Sequence, residues 1–284
     1  MSGWRRAVII QIGPRWSEGA KNRNLGFLTS VNICWQLAGQ GSGAGSGTED
    51  WTIDPANFTC LAIETATDLP SIALLRGDVL AVREARGMQA PSRAVFQWVQ
   101  ELLAETGTSL SELDCIAFGA GPGSFTGVRV AVALAQGLGY ATGLPLCPVS
   151  TLAALAAGAM RDSVADAAAC CLDARLGEVY FGAYRRDPEQ GVVALADDIL
   201  LKPEDVSLPD TGAFLAVGAG WGTYPEITAR LESRILGYAT DCLPSAADVA
   251  RLARPRFRHG SLVSSAAARP NYLRERVASR RDAD

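Results

Sequence analysis

Apolar and polar positions divide the chain near residue 58. Upstream, apolar residues follow no sustained period; downstream, short apolar runs alternate with helical spacing. Residues 59–64, 71–75 and 79–85 read as three strands, the last two joined by a Gly77-Asp78 turn. Pro91 and Ser92 open a helix to Thr106, with Val95, Val99, Leu102 and Leu103 on one face and Gly107 beyond its end. A strand at 115–120, a glycine-rich turn, a helix over 125–141, a strand at 145–149 and a helix over 151–160 follow. The order βββαβαβα predicts a mixed sheet covered by helices. A second block begins near Ala168 with a hairpin (169–173 and 178–184), a short strand at 214–218 and a helix at 246–253. Two lobes are therefore expected, 58–163 and 164–284, divided near residues 161–165.

The helix over 125–141 is apolar or small on every face after Gly127, apart from Arg129 and Gln136. Such a helix is buried on more than one side. One side covers the sheet; the other meets a neighbouring helix or another chain. Ala131, Ala133, Ala135, Gly137 and Gly139 permit close helix approach, at some cost in helix propensity. Phe96 and Trp98 stand beside the core face of the helix at 91–106, so the two helices together form a candidate association face.

The turn between strand and helix reads Gly121-Pro-Gly-Ser-Phe-Thr-Gly-Val-Arg129. Its glycines permit positive φ and close backbone approach. The hydroxyls of Ser124 and Thr126 can cap a helix N-terminus, which also attracts anions. Two readings stand: a phosphate cradle built on Gly121, Gly123, Ser124 and Thr126, or a tight strand-to-helix connection. Glu64, Thr65, Thr67 and Asp68, at the end of the first strand, offer a carboxylate and hydroxyls for a phosphate or hydrated magnesium, or an ordinary turn. Asp173, Arg175, Glu178 and Tyr180 surround the turn at Gly177, either as acid–base groups or as a salt-bridged hairpin end.

Composition narrows the chemistry. The 284 residues carry 26 basic and 30 acidic side chains, which argues against a protein devoted to polyanions. No apolar run approaches the length of a membrane span, and the start makes a poor signal peptide. The seven cysteines show no C-x-x-C pair and read as small buried hydrophobes in a reducing, cytoplasmic compartment. The single histidine, His259, sits in an arginine-rich stretch. No histidine–carboxylate metal cluster, Walker lysine or Ser-His-Asp set is present; the glycine turn fits neither the P-loop nor the dinucleotide fingerprint. Gly218-Ala-Gly-Trp-Gly222 is the one candidate for an adenosine-binding loop. Residues 1–57, with a Gly/Ser-rich tract at 39–47, read as a disordered extension or a start codon placed too far upstream.

Four segments match a known family in order and spacing: Cys60-Leu-Ala-Ile-Glu-Thr-Ala-Thr-Asp68, the glycine turn through Arg129, Asp173-Ala-Arg-Leu-Gly-Glu-Val-Tyr180 and Pro270-Asn-Tyr-Leu-Arg274. Over residues 58–278 the chain resembles the TsaB (YeaZ) family, the dimerisation subunits of the bacterial tRNA threonylcarbamoyladenosine machinery. The resemblance implies an α/β, two-lobed, actin-like (ribonuclease H-like) fold with a reduced second lobe. It implies a non-catalytic scaffold for a TsaD-like catalytic paralogue, helped by a TsaE-like ATPase, with tRNA met through the complex and a homodimer as the form alone. ATP and magnesium then belong to the assembled complex, and the chain needs no cofactor or metal of its own. The implied interface lies on the two lobe-one helices, at Phe96, Trp98, Val128, Arg129, Val132, Ala135, Gln136 and Gly139. Asp173, Arg175 and Glu178 fall between the lobes. The chain departs from the family pattern at Pro91, where many members carry histidine, and at Ala131, where glycine is usual; residues 1–57 have no counterpart. The competing reading is a self-sufficient actin-like ATPase or small-molecule kinase using Glu64 and the glycine turn.

Overall fold

A computed structural model describes residues 9–11, 57–85 and 92–274 of the chain. The expectations for Pro91 and for residues 1–8 and 12–56 lie outside the described residues.

The first sheet runs β1-β4-β3-β2-β5-β6, from strands Ile9–Gln11 (β1), Thr59–Glu64 (β2), Ser71–Arg76 (β3), Val79–Glu84 (β4), Cys115–Gly119 (β5) and Leu146–Val149 (β6). Strands β2, β3 and β4 form an antiparallel meander, while β5 and β6 join β2 in parallel. The short edge strand β1 pairs in parallel with β4; it comes from the apolar run in a segment expected to carry no structure.

Every residue of β2 is buried, because both faces of the sheet are covered. Leu61, Ile63, Ile72, Ile116 and Phe118 face helices α1 (Ser92–Thr106) and α2 (Phe125–Thr142). Cys60, Ala62, Ala73, Cys115 and Ala117 face the other way, towards α3 (Thr151–Arg161) and α6 (Ala246–Arg258). The small side chains on that second face let a helical layer approach closely on both sides.

The second sheet runs β10-β8-β7-β11-β12, with β9 paired to β8. Its strands are Ala167–Arg175 (β7), Glu178–Asp187 (β8), Gly191–Ala194 (β9), Ile199–Leu201 (β10), Phe214–Val217 (β11) and Ile235–Ala239 (β12). One face packs on the core shared with α3 and α6; Phe181 and Phe214 lie on the other, where they join a core with Trp221 of the short helix α4 (Gly220–Thr223) and Ile227 of α5 (Pro225–Leu231). The order is therefore helices, sheet, helices, sheet, helices.

Helix α6 corrects the expected lobe boundary. It packs against β2, β3, β5 and β6, so the chain returns from the second lobe to the first at residue 246. After α6, Val263 exchanges backbone hydrogen bonds with Leu146, and Ala268 joins the α1/α2 core. The reason is burial: Ala246, Val249, Ala250, Leu252 and Ala253 cover more than one face and need two neighbours. Asp248, 4 % exposed in this layer, is held by Arg161 and Arg251.

Among the described residues no helix is long and apolar enough to cross a membrane. Cys60, Cys115, Cys147, Cys170 and Cys171 are buried free thiols inside strands, as expected, and Cys242 is half-buried. Burial pushes the Cys147 thiol up to about 12, which leaves it inert.

Candidate functional site

A cleft of about 900 Å³ opens between the lobes. Its walls include the β2–β3 turn at Thr67 and Asp68, the start of α2 at Ser124, Phe125 and Arg129, the β7–β8 hairpin from Asp173 to Leu176, and the chain from Asn271 to Arg274, with Ala219, Thr223 and Leu243 also in the lining.

The glycine turn closes against the β2–β3 turn. Ser124 N donates to Ala66 O at 2.7 Å, and Thr65 Oγ1 donates to Gly127 O at 2.6 Å. A Cβ on Gly123 would stand 2.5 Å from Ala66 O, and one on Gly127 would fall inside the van der Waals envelope of Thr65 O. Gly121 has φ +95°, which glycine alone adopts readily. Each glycine thus meets a steric need of the fold. These contacts are those of a tight strand-to-helix connection. Ser124 caps α2 weakly, accepting from Gly127 N at 3.4 Å.

Glu64 lies behind this turn and does not line the cleft. It is fully buried; its carboxylate accepts from Ala66 N at 2.7 Å and from Thr151 Oγ1 at 3.2 Å. Desolvation pushes its pKa up to about 7, against the lowering effect of those donors. Thr65 and Gly121 are buried as well, whereas Thr67, Gly123 and Ser124 reach the cleft wall. Thr126 is exposed on α2 and does not line the cleft.

Across the cleft, Asp173 Oδ1 accepts from Arg175 N at 2.8 Å and from Tyr224 OH at 3.0 Å, and Arg175 Nη1 lies 3.1 Å from Asp173 Oδ2. Glu178 pairs with Arg274. The carboxylates here are held by arginines as a salt-bridged hairpin end. Below them, Asp198 accepts from Ser150 Oγ at 2.5 Å and from Tyr184 OH, while Ser150 Oγ accepts from Leu152 N and Ala153 N. This network ties the N-terminus of α3 to the second lobe, and burial raises the Asp198 pKa. The sequence reading missed it, since Ser150 and Asp198 carry no spacing signal.

The expected association residues divide. Val128, Val132, Ala135 and Gly139 are buried on the sheet-facing side of α2, with Gly139 against Leu146, so they are unavailable to a partner. This corrects the expected interface: a helix apolar all round has no polar stripe to mark its outer side, so its spacing alone does not show which side is buried. The outer face carries Phe125, Thr126, Arg129, Ala133, Gly137 and Tyr140, with Tyr140 85 % exposed. Phe96 on α1 is 48 % exposed, and Trp98 is half-buried against the core. Gln136 is engaged within the chain, donating to Ala268 O at 3.0 Å. Arg129 donates to Tyr272 OH at 2.6 Å and stacks 3.5 Å from the Phe125 ring centroid.

The Gly218–Gly222 loop also serves packing. A Cβ on Gly218 would meet Cys171 O at 2.6 Å, and Trp221 Nε1 donates to Ala169 O at 2.9 Å. His259 ends α6, outside the cleft. Among the described residues no three of His, Cys, Asp and Glu gather as a metal site.

The family described as "TsaD: tRNA N6-adenosine threonylcarbamoyltransferase" matches residues 88–278. The tRNA threonylcarbamoyladenosine biosynthesis protein TsaB of Escherichia coli is 36% identical over 222 residues, covering 77% of this chain and 95% of that protein. The solved structure of YeaZ from Pseudomonas aeruginosa superposes with a TM-score of 0.68 at 35% identity, covering 76% of this chain and 100% of that one. A second solved chain, of TM-score 0.67 and 35% identity, is described as an uncharacterized protein with similarity to peptidase YeaZ from the same organism. With this identity carried over nearly the whole length of these relatives, and with the two-lobed fold in common, the chain belongs to the TsaB (YeaZ) family.

Proposed function

We propose that this chain is a scaffold subunit of the machinery that builds N6-threonylcarbamoyladenosine in tRNA, without catalytic residues of its own. The observation that carries the reading is the match to TsaB of E. coli over 95% of that protein, whose name places it in this biosynthesis. The site agrees in kind. The carboxylates at the cleft are paired with arginines, and the only histidine of the chain stands outside it, so among the described residues the cleft offers no histidine base beside a nucleophile for acyl transfer or peptide hydrolysis.

The partner in this reading is a TsaD-like catalytic paralogue, seated on the outer face of α2 and the exposed Phe96 of α1, with a TsaE-like ATPase and tRNA joining the assembly in the cytoplasm. ATP and magnesium belong to that assembly. Within this chain the glycine turn serves packing: Ala66 and Thr65 stand where side chains on Gly123 and Gly127 would be, and Glu64 is sealed behind them.

Two measurements test the proposal. Size-exclusion chromatography of this chain mixed with the TsaD-like protein of the same genome should show a complex. Mass spectrometry of tRNA from cells depleted of this chain should show loss of threonylcarbamoyladenosine from tRNAs that read codons beginning with A. Unchanged modification after depletion would refute the assignment.

A further inference from the structure

The segment Asn271–Arg274 spans the cleft and touches both lobes. In lobe one, Asn271 N donates to Ala120 O at 2.7 Å, at the end of β5. One residue on, Tyr272 accepts from Arg129 Nε and packs against Phe125, with ring centroids 5.9 Å apart. Arg274 then reaches into lobe two. Its Nη2 donates to Ala174 O at 3.1 Å, to Arg175 O at 3.3 Å and to the Glu178 carboxylate. The Arg274 side chain is only 15% exposed, so these charge-assisted bonds form largely away from water.

The turn that Arg274 grips is strained. Arg175 and Leu176 have φ of +62° and +58°, a left-handed conformation that side chains with a Cβ disfavour, and Gly177 follows at +74°. Side-chain packing does little to hold it: Leu176 is 80% exposed, and the Arg175 side chain, 81% exposed, meets Asp173 only through a solvent-exposed ion pair. Asp173 fixes the Arg175 amide from within the hairpin, and Arg274 fixes the Ala174 and Arg175 carbonyls from outside.

We infer that residues 271–274 are an interlobe latch. Engaged, Arg274 keeps the hairpin turn left-handed and sets the opening of the cleft. Released, the turn relaxes, and the segment loosens back to Asn271. Because Tyr272 rests on Arg129, at the start of the helix face assigned above to a partner, docking and latch bear on one another; that consequence alone rests on the proposed function.

Hydrogen exchange of the free full-length chain tests the latch without any partner. In Arg274→Met, amides at residues 174–178 should exchange at least about tenfold faster, and so should the Asn271 amide in lobe one, while cooperative unfolding is retained. Glu178→Gln, a milder change on the exposed hairpin, should move the same amides in the same direction and serves if Arg274→Met does not fold. Unchanged exchange, or acceleration confined to the hairpin, overturns the latch. Should exchange respond as expected while the TsaD-like protein binds neither wild type nor variant, the docking reading fails and the latch stands.

Discussion

Thr65 and Gly127 join the two chain reversals at the top of the first sheet: the Thr65 hydroxyl donates to the Gly127 carbonyl at 2.6 Å, and the Thr65 carbonyl fills the place of a Cβ on residue 127. A motif with the look of a phosphate loop is in this way packed against protein at Gly127, while Gly123 and Ser124 face the cleft.

Gly127→Ala should therefore be severely destabilising, by more than about 2 kcal/mol, since backbone must shift to admit one methyl. Gly137→Ala is the control. Nothing lies within 4 Å of a Cβ there, and the residue is in mid-helix, so stability should rise by about 0.5–1 kcal/mol. Urea denaturation of both variants checks the pair; equal effects would show that the close approach to Thr65 has no energetic weight.

Helix α2 separates folding from association by a single position. Val132→Arg buries a charge in the α1/α2 core and should cost several kcal/mol or abolish folding. Ala133→Arg, one residue on and exposed, should leave the melting temperature nearly unchanged and weaken binding of the TsaD-like protein by at least about tenfold, or roughly 1.4 kcal/mol. Calorimetry of binding, read beside thermal melting, distinguishes the two.

Glu64 should make stability fall between about pH 4.5 and pH 7. The folded protein keeps its proton up to about pH 7, whereas the unfolded carboxyl releases it near its ordinary value of 4.5. Across that window the unfolded state binds fewer protons, so the free energy of unfolding declines as pH rises and is level above it. The full effect is about 3 kcal/mol. Glu64→Gln cannot titrate, and its stability relative to wild type should grow by about that amount from pH 4.5 to pH 7. Parallel pH profiles for the two proteins would rule out a raised Glu64.

Ser150→Ala should cost about 1–2 kcal/mol. It removes the cap of α3 and leaves Asp198 with Tyr184 alone. Thermal melting of Ser150→Ala and Asp198→Asn, singly and together, should show non-additive losses, because both changes cut one network.

Local patterning carried much of this architecture. The β2–β3–β4 meander, β5, α2, α3 and the β7–β8 hairpin follow from short apolar runs, turn residues and helical spacing, signals that local chemistry writes directly. The motif residues likewise marked where the chain reverses, at Gly121 and Gly123 and at Asp173 and Arg175, and which later segment meets both at the cleft, Asn271 to Arg274. Composition also spoke to the missing chemistry, with one histidine and no Walker lysine.

Tertiary structure decided the rest, because it turned on distance and phase. Which side of α2 is buried was illegible, since an apolar residue at nearly each position leaves no polar stripe; the sheet beneath Val128, Val132 and Ala135 settles it. That α6 belongs between the lobes depends on contacts with strands far earlier in the chain, such as Ala246 N to Ser71 Oγ at 2.9 Å, across 175 residues. Whether the glycines cradle an anion or a neighbouring turn depends on the placement of Thr65 and Ala66, which lie in a different strand-end turn from Gly127 and Gly123. Short-range patterning specifies which elements form; long-range packing specifies which surfaces remain for a partner.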